Sequence, residues 1–156
     1  SFNIEAETAL RIAQEVPQAV GIKEASGDLQ QITDILAHRP DGFAVYAGDD
    51  EMTVPVTLLG GDGVVSVISN ALPDAFATLA NTALAGDVAA AQQQHFELLD
   101  AMRACFYATN PVPVKTVLAA IGVMDEHVRL PMEPLAPESP VRRRVLDAFA
   151  PHIDIL

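Results

Sequence analysis

Lys23 is the residue of this chain whose setting most invites chemistry. It stands in "VGIKEASGD" (20–28), inside an apolar run. Burying an ammonium without a partner costs several kcal/mol, on the order of the penalty for an isolated buried ion. Period-2 alternation puts Gly21, Lys23 and Ala25 on one face of a strand, and Val20 and Ile22 on the other. Small neighbours leave room for a long side chain pointing inward. Burial disfavours the charged form of an amine, and a neutral amine can attack a carbonyl and form a Schiff base. The competing reading is a lysine near a strand end, paired with a carboxylate such as Glu24 or Asp49. Periodicity leaves both open.

The remaining reactive side chains add little. In "GDDE" (48–51), Asp50 or Glu51 suits the N-terminus of a following helix, so capping is expected there rather than catalysis or metal binding. His38, His95, His127 and His152 are isolated and lack zinc-ligand spacing, so no metal or cofactor is expected. Ser26, Ser66 and Ser69 have no G-x-S-x-G context. The glycine-rich "LGGDG" (59–63) meets neither phosphate-loop pattern and reads as a helix stop with a tight turn. Cys105, in "MRACFYA", fits a buried helical thiol in a reducing compartment.

Three short apolar runs must position these groups: 19–25, 43–49 and 63–69. Each precedes a segment with helical character. In 28–39, Leu29, Ile32, Ile35 and Leu36 form one face, with Asp28 as the N-cap and Gly27 supplying the turn. Helices are also expected over 49–61, where Pro55 falls early enough to be tolerated, and over 72–87. Strand–helix alternation at a period of 20 to 24 residues means βαβ units on a parallel sheet. A helix over 3–15 leads, and no strand signal follows residue 70. Helical segments over 87–108, 113–122 and 141–152, joined by proline-rich 130–140, complete the chain. The expected division is therefore 1–86, βα units, and 87–156, a helical subdomain. Three strands make a thin parallel sheet, so further strands upstream are expected.

Half of the 156 residues are hydrophobic, enough for a real core, and no run is long enough to span a membrane. The N-terminus is acidic and amphipathic, unlike a signal peptide. A net charge of −12 argues against nucleic acid and anionic membrane as partners. The one basic run, Arg142–Arg144, reads as a solvated or salt-bridged helix face. A cytoplasmic location is the default expectation.

"GIKEASGDL" resembles the Schiff-base lysine motif of the dihydrodipicolinate synthase/N-acetylneuraminate lyase family of class I aldolase-type enzymes. Three further stretches are similar to that family in the same order: 47–70, "NPVPVK" (110–115) and "RLPMEPL" (129–135). "GDD" and "NPVPVK" favour the synthase branch. The resemblance implies a (β/α)8 barrel with a C-terminal helical subdomain, usually in an oligomer. It also implies condensation of pyruvate with aspartate semialdehyde, on the way to lysine. Lys23 matches the Schiff-base residue and Val65 the position whose backbone carbonyl faces the pyruvate adduct. Gly48 and Asn110 match positions lining the same pocket.

A barrel of this type needs about 250 residues. The resemblance thus covers the C-terminal half, with strands six to eight and the helical tail. A threonine pair, a tyrosine supplied across a dimer and a "YNVPxR"-type segment lie outside the matched stretches. Tyr46 and Tyr107 sit in no corresponding motif. The expected partner is the N-terminal half of the barrel, in the same or a separate chain, or another copy of this one. Another pyruvate-type aldolase acting on 2-keto-3-deoxy sugar acids, or an inactive assembly module, are the alternatives.

Overall fold

The computed structural model describes residues 2–154. The chain runs α1 (Ala6–Glu15), β1 (Gly21–Glu24), α2 (Leu29–His38), β2 (Ala44–Ala47), α3 (Thr53–Leu58) and β3 (Gly63–Val64). Four helices follow: α4 (Pro73–Leu84), α5 (Val88–Ala104), α6 (Val112–Ala120) and α7 (Pro140–Phe149). The strands form one parallel sheet in the order β1-β2-β3. Two compact units are present. One comprises Ser1–Ser66 with Leu79–Gln92, the other Val67–Thr78 with Gln93–Leu156.

In the first unit, alternation along the strands sends Ile22, Val45 and Ala47 toward the helices. Val45 and Ala47 are fully buried. Val45 joins Ala9, Ile35 and Phe43 in one apolar cluster, and Ala47 joins Ile32 and Val56 in a second. Each fully buried Ile or Val contributes about 1.5–3 kcal/mol relative to an exposed one. The α2 face is narrower than its spacing suggests, because Leu29, in the first turn, is 42% exposed. Asp28 caps that helix as expected, accepting from the N–H groups of Gln30 at 2.9 Å and Gln31 at 3.4 Å.

The segment expected as one helix over 49–61 is split. Asp50–Met52 form a 3-10 turn before α3. The cap is Asp49, whose carboxylate accepts from the Glu51 N–H at 3.0 Å, and not Asp50 or Glu51. Asp50 is 1% exposed. Pro55 is the third residue of α3, where a missing N–H costs nothing. The third strand is also shorter than its apolar run: Ile68–Asn70 turn into a 3-10 helix.

A polar clamp closes the amino end of the sheet. The Asp62 carboxylate accepts from the Val45 N–H at 2.8 Å and pairs with the Arg39 guanidinium. Arg39 also donates to the carbonyls of Phe43 at 3.0 Å and Gly60 at 2.9 Å. Burial pushes the Asp62 carboxyl upward, but the Val45 N–H and Arg39 outweigh it and hold the group below its usual 3.8.

In the second unit α6 packs on α7, and Val117, Val145 and Phe149 are fully buried. The basic run is a salt-bridged and solvated face, as expected. Arg142 pairs with Glu126, Arg143 is exposed, and the Arg144 guanidinium stacks 4.4 Å from the Tyr107 ring centre. Cys105 is buried.

Candidate active site

The sheet has a second face, whose described side chains are exposed. Strand register pairs Lys23 with Tyr46, and Tyr46 with Gly63. Side chains that alternate with the buried set therefore point to this open side: Gly21, Lys23 and Ala25 from β1 and its end, Tyr46 from β2, and Val65 just past β3. All five are exposed, Tyr46 at 38% and Val65 at 45%. The tyrosine ring leans over Gly63, where an added Cβ would sit 3.4 Å from its nearest ring carbon.

Three of the four candidate residues come together at the carboxyl ends of adjacent strands. Lys23 is the third residue of β1, Gly48 follows β2 and Val65 follows β3. Two backbone hydrogen bonds tie these ends: Gly48 N–H to the Glu24 carbonyl at 2.6 Å, and Val65 N–H to the Ala47 carbonyl at 2.8 Å. Gly48 is required by this approach. A Cβ there would lie 2.5 Å from the Ala25 Cβ and 2.8 Å from the Glu24 carbonyl oxygen. Asn110, the fourth candidate, belongs to the second unit, where it is exposed two residues before α6.

The lysine itself departs from expectation in one respect and settles another. Burial around it, expected from its small neighbours, is not found; Lys23 is exposed. The pairing alternatives fail on geometry. Glu24 alternates to the opposite face, is 4% exposed and accepts from Gln31 Nε2 at 2.7 Å. Asp49 is engaged as a cap. Among the described residues Lys23 has no hydrogen-bond or ion-pair partner.

Glu24, Gln31 and Tyr46 escaped the sequence reading as site residues. The signal for Glu24 was present: the alternation that turns Lys23 to one face puts a carboxylate among Ile22 and Val45, where it must find donors. Tyr46 is recognisable only through the register.

The model of the dihydrodipicolinate synthetase family matches residues 1–146. Over 155 residues the chain is 63% identical to the 4-hydroxy-tetrahydrodipicolinate synthase of Salinibacter ruber, covering 99% of this chain and 51% of that protein. The Koribacter versatilis enzyme of the same name is 43% identical over 148 residues, covering 95% of this chain and 49% of the relative. Among solved structures, dihydrodipicolinate synthase from Aquifex aeolicus superposes with a TM-score of 0.90 at 31% identity, covering 96% of this chain and 50% of that one. The Thermotoga maritima enzyme gives 0.90 at 33%, covering 96% and 51%. The chain spans about half the length of the curated relatives it matches, and its fold is accordingly half of a TIM barrel with the attached helices.

Proposed function

Because the chain belongs to the dihydrodipicolinate synthetase family, we propose that it carries the Schiff-base half of a pyruvate-dependent aldol condensation in lysine biosynthesis. The observation that carries this reading is Lys23 itself. It is an unpaired, exposed lysine on the face opposite the buried one, at the strand ends where (β/α)8 enzymes keep their chemistry. Its amine attacks the C2 carbonyl of pyruvate, and loss of water gives an imine. Removal of a C3 proton forms the enamine, whose carbon then bonds to the aldehyde carbon of aspartate semialdehyde. Val65 offers its backbone carbonyl to the adduct and Gly48 keeps the neighbouring strand end close, while Asn110 matches a pocket-lining position of the family.

The groups that clamp the pyruvate carboxylate and relay protons come from the other half of the barrel, in the same or a separate chain, within a cytoplasmic homo-oligomer. General acid–base help of that kind is worth about 10² to 10⁴ in rate, so the 156-residue chain alone turns over poorly. The exposure of Lys23 favours a second reading, an assembly module that keeps the half-barrel without activity.

Borohydride trapping with pyruvate decides between them. The expected result is one reduced pyruvate adduct, mapped by mass spectrometry to Lys23 and lost in K23M. Absence of any adduct, even after supplying the N-terminal half of the Salinibacter ruber relative, overturns the enzymatic reading.

A further inference from the structure

Resting on the imine chemistry proposed for Lys23, we propose that Glu24 is a positioning residue for that lysine, acting through a polar chain that runs from buried Glu24 through buried Gln31 to the exposed Asn3. Glu24 is 4% exposed and Gln31 8%. The Glu24 carboxylate accepts from Gln31 Nε2 at 2.7 Å, and its two oxygens accept from the Ser26 N–H at 3.4 and 3.3 Å. Gln31 accepts from Asn3 Nδ2 at 2.7 Å and returns a longer bond, Nε2 to Asn3 Oδ1 at 3.4 Å. The backbone carbonyl of Glu24 takes the Gly48 N–H at 2.6 Å. One residue is thereby held by β2, by α2 and by the turn that joins β1 to α2.

A carboxylate is costly to bury, and the surrounding face, with Ile22, Val45 and Ile32, would accept a hydrocarbon of the same size. What the carboxylate supplies instead is acceptor capacity. A leucine at this position would leave both the Ser26 N–H and the Gln31 amide without it. The clamp falls directly beside Lys23, which has no side-chain partner of its own. The backbone frame therefore fixes where the lysine stem starts and which way it leaves the strand, with no side-chain contact to correct it. A displacement of about 1 Å in a reacting group can cost on the order of 100-fold in rate, which makes a rigid frame at this point functionally consequential.

The network can be broken and mended without changing volume. Q31E sets two buried carboxylates against each other, whereas E24Q/Q31E restores a donor–acceptor pair with the roles exchanged. Two quantities are measured on the full chain at pH 8: the rate of borohydride-trapped pyruvate capture at Lys23 under saturating pyruvate, and hydrogen exchange at the Ser26 and Gly48 amides. The other lysine, Lys115, serves as internal control. In Q31E, capture is expected to slow and exchange to accelerate by about tenfold each; the double variant returns both to within about twofold of the unsubstituted chain. Unchanged exchange in Q31E, or a double variant no better than the single, overturns the proposal. So does faster exchange with capture unaltered, which marks the network as a fold element only. If the unsubstituted chain captures no pyruvate even with the N-terminal half of the Salinibacter ruber relative supplied, the proposed function fails and the positioning role falls with it, an outcome distinct from capture that occurs but is unaltered in Q31E.

Discussion

The two faces of the three-stranded sheet are built from the same strands and obey opposite rules. On the helix-covered face, Val45, Ala47, Ile32, Ile35 and Val56 are buried hydrocarbon, and the one carboxylate, Glu24, is fully engaged. On the other face Lys23, Tyr46 and Val65 stand exposed beside glycine and alanine. Alternation therefore separates stability from chemistry along one backbone. Neighbouring residues such as Lys23 and Glu24 serve different ends although they are joined by a single peptide bond.

That separation can be tested from both sides. The largest effect is expected on the open face, where K23M abolishes the pyruvate adduct while thermal and urea midpoints stay within the roughly 0.5 kcal/mol typical of surface changes. The reciprocal change, I35A, removes a fully buried side chain and should cost about 2–5 kcal/mol in urea unfolding, with the adduct still forming on the folded fraction. A destabilising K23M would blur the comparison, and a silent I35A would sink it. G48A acts on both faces at once. Its Cβ forces the β1 and β2 ends apart, so a loss of about 1–3 kcal/mol together with slower adduct formation is expected.

The smallest effect concerns acid. The Asp62 carboxyl lies below its usual 3.8 in the folded chain, so its contribution is fully present above that value and fades as pH falls through the lowered one. Urea midpoints should decline over that acid interval, and D62N should be less stable at pH 7 with a flatter acid slope. An unchanged slope in D62N would remove Asp62 from the account.

How much of this was written in the sequence varies with how local the cause is. The strand–helix alternation was legible because apolar period and capping residues agree, as at Asp28 and Gly27 before α2. The carboxylate that caps the next helical segment was misplaced by one or two positions, since Asp49, Asp50 and Glu51 look alike until backbone angles choose among them. The run 63–69 reads as strand by composition, but β3 stops at Val64 and the end of the run, from Ile68, is a 3-10 helix. Lys23 was found with the correct face, while its burial was not, because burial depends on what covers a face and not on the strand that presents it. The sequence offers Glu24 as a partner for Lys23, but alternation turns it to the opposite face, and its real partners, Gln31 and through it Asn3, are distant in sequence.

The Arg39–Asp62 clamp has a consequence for how such a scaffold can change. One guanidinium and one carboxylate bind together the end of α2, the start of β2 and the α3–β3 turn, at the end of the sheet away from Lys23. The connections at the lysine end share no atom with that anchorage. Loops there can be exchanged while the opposite end keeps the strands in register, which makes the half-barrel a frame in which one end is free to vary.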